Sequence, residues 1–274
     1  MTAPILLTND QILSLAPAAG ALEPIDGVSK RYSFVPTIAV VELLREVGWF
    51  PIDAEQSLVR DVTRDGYQKH LIRFAKNGLD TRDERVDLLL YNSHDRGTAF
   101  RLIASIWRKV CGNGLMVSAE FANFTHKHVG FDPDAFMQSA IEIANSAGVI
   151  VDRVEEMKMI ELSAEERGSF AEAAHILRYG KNPEKEPPIN ALQLLNERRY
   201  DDKGKDLWTS YNVVQENIVR GGLKGSSIGS DGQRRHVKTR AVKAIDKNIQ
   251  LNQALWHLTE CMAKLKVNDS TRAA

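Results

Sequence analysis

Two cysteines in 274 residues, no long apolar run and no net charge set the first limits on this chain. Cys111 and Cys261 lie far apart, whereas a secreted scaffold held by disulfides would carry more cysteines at closer spacing. Both thiols are expected to be reduced and buried. No stretch approaches the roughly 20 apolar residues that cross a bilayer. The start, MTAPILLTND, lacks the basic region and apolar run of a signal peptide. A soluble protein of the bacterial cytoplasm, with no membrane partner, is the expectation. Lysine plus arginine equals aspartate plus glutamate at 36 each, so total charge gives no hint of a polyanionic partner. No internal repeat is present, and no serine or cysteine has a recognisable activating environment, which leaves covalent catalysis without support.

What is present is an ordinary globular composition, 43% hydrophobic and 26% charged, in a length that fits one large domain or two. The charge is unevenly spread. Residues 131–190 hold twelve acids against six bases, and 198–247 hold twelve bases against six acids. Such a basic segment either makes a field for an anionic ligand or is satisfied by pairing within the protein.

Hydrophobic spacing divides the chain into a strand-rich part, 1–130 with N-terminal helices, and a helical part, 131–274. Ile38, Val41, Leu44 and Val47 recur at helical spacing, with Thr37 as expected N-cap and Gly48 as the stop. Segments 49–62 and 67–75 read as extended, joined through Arg64-Asp65-Gly66, and VDLLLYNS follows as a strand. Residues 99–111 and LMVSAEFANF, joined at Gly112-Asn113-Gly114, read as two long antiparallel strands. On the first, Arg101, Ile103, Ser105, Trp107 and Lys109 share one face. Leu102, Ala104, Ile106, Arg108 and Val110 share the other, the apolar one. Asp132-Pro133 starts a helix, and Ser163 with Glu166 makes a capping box for another. Flexible segments are expected near 181–188 and, from its glycines and serines, 221–233. A long amphipathic helix is expected over 234–266. The fold class is α+β: an antiparallel β-meander core with flanking helices and a helical C-terminal half.

The motifs SKRYSFVPT, YNSHD, WRKVCGNGL and FTHKH, followed by LWTSYNVVQEN and a tryptophan in the final helix, resemble the phage/plasmid-like family that shares a domain of unknown function numbered nine-three-two. The resemblance spans nearly the whole chain. Arg96 stands where the family usually has glycine, and Gln215 where it has a small residue or threonine. The resemblance implies mobile elements and DNA metabolism as context and supplies no reaction. The order of helix, meander and long helix is also similar to that of single-strand annealing proteins, an analogy that licenses a hypothesis only.

On that analogy the chain is a homo-oligomeric, non-catalytic binder of single-stranded nucleic acid, serving recombination or annealing. Lys30, Arg31, Lys69, Arg73, Arg101, Arg108 and Lys109 would neutralise phosphates, and Tyr32 and Trp107 would stack on bases. Arg234, Arg235, Lys238 and Arg240, with Lys243, would form an auxiliary patch on the last helix. Each position is equally readable as ordinary solvated surface. Arg108, set in an apolar face, needs a partner, either Asp95 or Glu120 or a phosphate. A rival reading is a metal-dependent enzyme such as a nuclease, with His94, Asp95, His126 and His128 holding zinc or manganese. Its bland counterpart is a hydrogen-bonded turn at Asn92-Ser93-His94-Asp95. A third is a counter-defence factor that binds a host protein. The loop GGLKGSS fails the phosphate-loop spacing, and Trp208, Tyr211, Asn212 and Trp256 read as core.

Overall fold

In a computed structural model, residues 4–30, 32–80, 84–108, 113–116, 123–126, 132–181, 186–229 and 231–273 are described. Thr8 and Gln11 close a capping box over α1, Asn9–Leu15, satisfying amides that a helix start leaves open. A 3-10 turn, Pro17–Gly20, follows. Helix α2, Thr37–Glu46, buries Val40, Val41 and Leu44 against β1 and this turn. Its N-cap is Pro36, and Thr37, expected to cap, is the first helical residue. The hydroxyl makes no cap because it is engaged elsewhere, as described below. Gly48, at φ +84, allows the chain to turn out of the helix.

Strands β1 (Phe50–Gln56), β2 (His70–Asp80), β3 (Glu84–Asn92) and β4 (Phe100–Arg108) pair in order as an antiparallel meander. The register sets Ile72 beside Leu90 and Leu90 beside Leu102, and Phe74 beside Leu88 and Leu88 beside Ala104. With side chains alternating between faces, this builds one apolar face in which Ile72, Phe74, Leu88, Leu90 and Leu102 are fully buried. The opposite face is buried as well, at Leu89, Tyr91, Ile103 and Ser105. The expectation of a single core face is therefore too narrow. The expected return strand is present as two pieces, β5 (Asn113–Met116) and β6 (Asn123–His126), both paired to β4.

Asp132 accepts hydrogen bonds from the amides of Asp134 and Ala135 and opens α3, Pro133–Lys158, which continues through Gly148 without a break. The chain divides into two compact units, 1–150 and 151–274.

In the second unit, the Ser163–Glu166 capping box starts α4, Ala164–Tyr179. Asp206 caps α5, Leu207–Arg220, whose residues are buried nearly all round. The last helix, α6, covers Ile245–Ala273. Helices α4 and α6 and a 3-10 turn, Ala191–Leu195, surround α5. Trp208, Tyr211 and Trp256 stack edge to face and tilted in this core, with ring centroids 5.6 to 6.4 Å apart. Among the described residues no helix is long and apolar enough to cross a membrane.

One expectation for this unit fails. Residues 221–233 are not a structureless loop, and the last helix does not begin at 234. Strands β7 (Lys224–Ile228) and β8 (Arg234–Lys238) form an antiparallel hairpin. Gly232, at φ +74, follows Asp231 in its turn, an Asp-Gly pair that supplies the left-handed conformation a tight hairpin needs. At the base, Gly221 lies so close to Thr239 and Arg240 that a Cβ there would come within 2.7 Å of their backbone. Gly222 donates to the Thr239 carbonyl and Thr239 to that of Leu223.

Candidate functional site

The two N-terminal motifs of the sequence meet at Thr37. Its hydroxyl lies 2.8 Å from His70 Nε2, 3.2 Å from His94 Nε2 and 3.0 Å from Asn92 Nδ2. Thr37, His70, Asn92 and His94 are all fully buried. His70 Nδ1 lies 2.9 Å from the Gln68 carbonyl and must donate to it, so its Nε2 accepts from Thr37. The single hydroxyl proton is thereby used, and Asn92 and His94 donate to the two lone pairs, which fills the capacity of a threonine. Burial pushes the His70 imidazole down to about 4, with the Gln68 carbonyl and Asp95 opposing it weakly. His94 stacks at 4.8 Å on Phe34 and at 5.1 Å on His70.

Next to this cluster, the Asp95 side chain is 1% exposed and accepts from Arg64 at 2.9 and 2.5 Å and from the Gly97 amide at 2.7 Å. A Cβ on Gly97 would come within 2.6 Å of Asp95 Oδ1. Tyr32 reaches the Ser93 carbonyl at 3.5 Å, and burial, then the nearby Asp95 charge, pushes its hydroxyl up to about 12. His94 thus serves Thr37 while the Asp95 carboxylate serves Arg64. Among the described residues, no three His, Cys, Asp or Glu side chains are grouped so as to hold a metal ion. His126 lies opposite Phe100 in the sheet register, on the far side of β4, and His128 lies outside the described residues.

The expected basic face of the sheet is mixed in charge. The Arg73 guanidinium lies 3.9 Å from the centroid of the Trp107 ring, 3.2 Å from Asp53 and 3.8 Å from Asp87. Arg85 grips Asp87 with two hydrogen bonds, at 2.6 and 3.0 Å. Burial outweighs both arginines and holds the Asp87 carboxyl above its ordinary range. Trp107 therefore gives a ring face to a cation of its own sheet. Arg101 is half-buried beside Tyr91. Arg108 and Glu84 are both buried and stand directly opposite in the β3–β4 register. Asp95, one of the partners expected for Arg108, serves Arg64 instead, and Glu120 lies outside the described residues. Lys69 is half-buried and Lys30 exposed. Arg31 and Lys109 lie outside the described residues.

The basic segment of the second unit splits in two. Arg199 makes paired hydrogen bonds to buried Glu216, at 2.8 and 2.7 Å, and Arg220 adds another at 2.8 Å. Burial would raise the Glu216 carboxyl, but the hydrogen bonds from these arginines prevail and hold it below its ordinary range. Arg198 is bound to Asn217 and to the Gly221 carbonyl. These three arginines are structural.

The hairpin bases are different. Arg234, Arg235, His236, Lys238 and Arg240 are exposed, as are Lys224 and Lys243. Arg234 pairs with Glu186 at 3.0 Å and Arg235 with Asp231, both in solvent, where ion pairs contribute about 0 to 1 kcal/mol. Lys224, Ser226, Arg234 and His236 border an open groove whose far wall is Pro187, Pro188 and Asn190. The outer edge of β7 is held by the Ser226 amide donating to the Pro188 carbonyl. A Cβ at Gly225 would come within 1.9 Å of that oxygen.

Reading the sequence missed the roles of Thr37, Gln68, His70 and Arg64, and the strand that presents Arg234 to Lys238. For the hairpin a signal existed, in Asp231-Gly232 followed by β-branched Val237 and Thr239.

Comparison with known proteins follows the same outline. UPF0380 protein YafZ and UPF0380 protein YfjQ of Escherichia coli (strain K12) are each 33% identical over 260 residues, which is 93% of this chain and 91% of theirs. No solved structure matches. The family described as Domain of unknown function (DUF932) matches residues 24–256, a span that takes in the Thr37 cluster, the meander and the hairpin. On that match and those relatives, the chain belongs to the DUF932 family.

Proposed function

We propose that this protein binds nucleic acid without acting on it chemically, and that the β7–β8 hairpin with the segment after it makes the contact. One observation carries the reading. Between Gly221 and Lys243 there are six lysines and arginines and one acid, and all six bases are exposed. Lys238, Arg240 and Lys243 have no ion pair among the described residues, and the pairs at Arg234 and Arg235 are solvated and readily exchanged for phosphate. By contrast, Arg73, Arg108, Arg199 and Arg220 face acids within the fold, which makes them poor phosphate ligands. This reading favours the residues the sequence offered as an auxiliary patch over those of the sheet.

Anisotropy titrations of labelled oligonucleotides test this. Binding at low salt should weaken about a thousandfold or more between roughly 50 and 200 mM salt if some six phosphates are neutralised. It should weaken further in a Lys238→Glu, Arg240→Glu variant. Absence of binding at low salt, or binding indifferent to that variant, rejects the reading.

A further inference from the structure

We infer that the ligand of the hairpin is double-stranded DNA, not a single strand; the inference rests on the reading above and names its substrate class. Sequence-tolerant binding of single strands needs aromatic platforms on which bases stack. The segment from Gly221 to Lys243 contains no Phe, Tyr or Trp. The other rings of the second unit do not supply one: Phe170, Trp208, Tyr211 and Trp256 are buried, and half-buried Tyr179 is covered by the His175 ring at 4.8 Å and the Arg178 guanidinium at 5.5 Å. Tyr200 is exposed, but it lies on a 3-10 turn and carries the Lys203 ammonium 4.8 Å from its ring centroid.

What the hairpin does offer matches a duplex. Its strands are five residues each, about 17 Å of extended chain, and a two-stranded ribbon is one of the two elements that the major groove of B-form DNA, about 12 Å wide, admits. The basic side chains concentrate on one face of the ribbon. Lys224, Arg234 and Lys238 share that face with Ser226 and His236, and Arg235 stands on the other. A ribbon lying in the major groove turns one face towards base edges and the phosphates beside them, and this basic face meets that arrangement. The serines, His236 and Gln233 add hydrogen-bonding groups suited to base edges and phosphates. The major groove of an RNA duplex is too deep and narrow for such a ribbon.

The full-length protein is titrated with one labelled sequence in three forms: DNA duplex, DNA single strand and RNA duplex. The expected result is a preference of about tenfold or more for the DNA duplex at matched salt. Arg234→Glu with Lys238→Glu should abolish that preference, and a milder pair, Lys224→Gln with Arg235→Gln, should reduce it in a protein whose circular dichroism is unchanged. Tyr200→Ala should leave duplex binding intact. Equal or tighter binding of the single strand or RNA duplex overturns this inference and leaves nucleic-acid binding standing. A tenfold loss of duplex affinity in the Tyr200 variant overturns it too. Binding of none of the three removes both proposals.

Discussion

Thr37, His70, Asn92 and His94 in the first unit are fully buried and hydrogen-bonded to one another, whereas Arg234, Arg235, His236 and Lys238 in the second stand on an exposed strand. Both groups are polar, and both contain histidine. The difference lies in the solvent. A buried polar atom that loses its partner forfeits its full hydration, so each member of the Thr37 cluster is fixed by the others. An exposed cation exchanges one partner for another at little cost. The first arrangement suits a joint in the fold, and the second a surface that meets a changing ligand.

Substitutions can break or sharpen this contrast. Thr37→Val removes the hydroxyl that joins His70, Asn92 and His94 while keeping the shape. A loss of about 3 to 5 kcal/mol in urea denaturation is expected, because three buried groups lose a partner at once. A loss under about 1 kcal/mol would show that the cluster is not a joint.

Acid should weaken the first of these arrangements. His70 has a folded value of about 4 against an ordinary 6.5, so below pH 6.5 the unfolded chain takes up a proton that the folded chain refuses. Its contribution is full above pH 6.5 and falls by about 3 kcal/mol as pH drops to 4. His70→Gln should be less stable at pH 7 and flatter in pH dependence over that interval. Parallel curves for the His70 variant and the parent would contradict the burial argument.

At Gly225→Ala the new methyl meets the Pro188 carbonyl. A loss of about 1 to 3 kcal/mol is expected, with faster hydrogen exchange at the Ser226 amide while the Thr37 cluster stays protected. Smallest of all, Arg96→Gly should change stability by less than about 1 kcal/mol. Arg96 is the one non-glycine residue with positive φ among those described, at 61°. Its guanidinium donates to the Gly27 carbonyl. Relief of the left-handed strain and loss of that hydrogen bond therefore oppose each other.

Local rules made much of the fold readable. Asp132-Pro133 and Ser163 with Glu166 place two helix starts, since each carries its own hydrogen-bonding solution within three residues. The continuous apolar run of β3 and the Gly112-Asn113-Gly114 turn signal after β4 made the meander plain. The candidate sites were harder. Thr37, His70 and His94 are far apart in sequence, and nothing local marks a threonine as the hub of distant histidines. Arg73 read as a free cation because its acids, Asp53 and Asp87, lie on neighbouring strands. Arg108 was legible as needing a partner, but Glu84 became its neighbour only through register. At the hairpin, glycine and serine content overrode the Asp-Gly turn and the β-branched residues after it, so a ribbon was read as a loop and the start of a helix.

The exposure of β8 has a consequence for solubility. A strand on the outside of a two-stranded ribbon is a template on which a second molecule can add its own strand, and charged residues along such an edge discourage that pairing. Arg234, Arg235 and Lys238 do so here. Replacing them with alanine would therefore remove two properties together, attraction for polyanions and resistance to self-association, and the resulting aggregates would obscure any binding defect. Reversal to glutamate keeps the edge charged and separates the two.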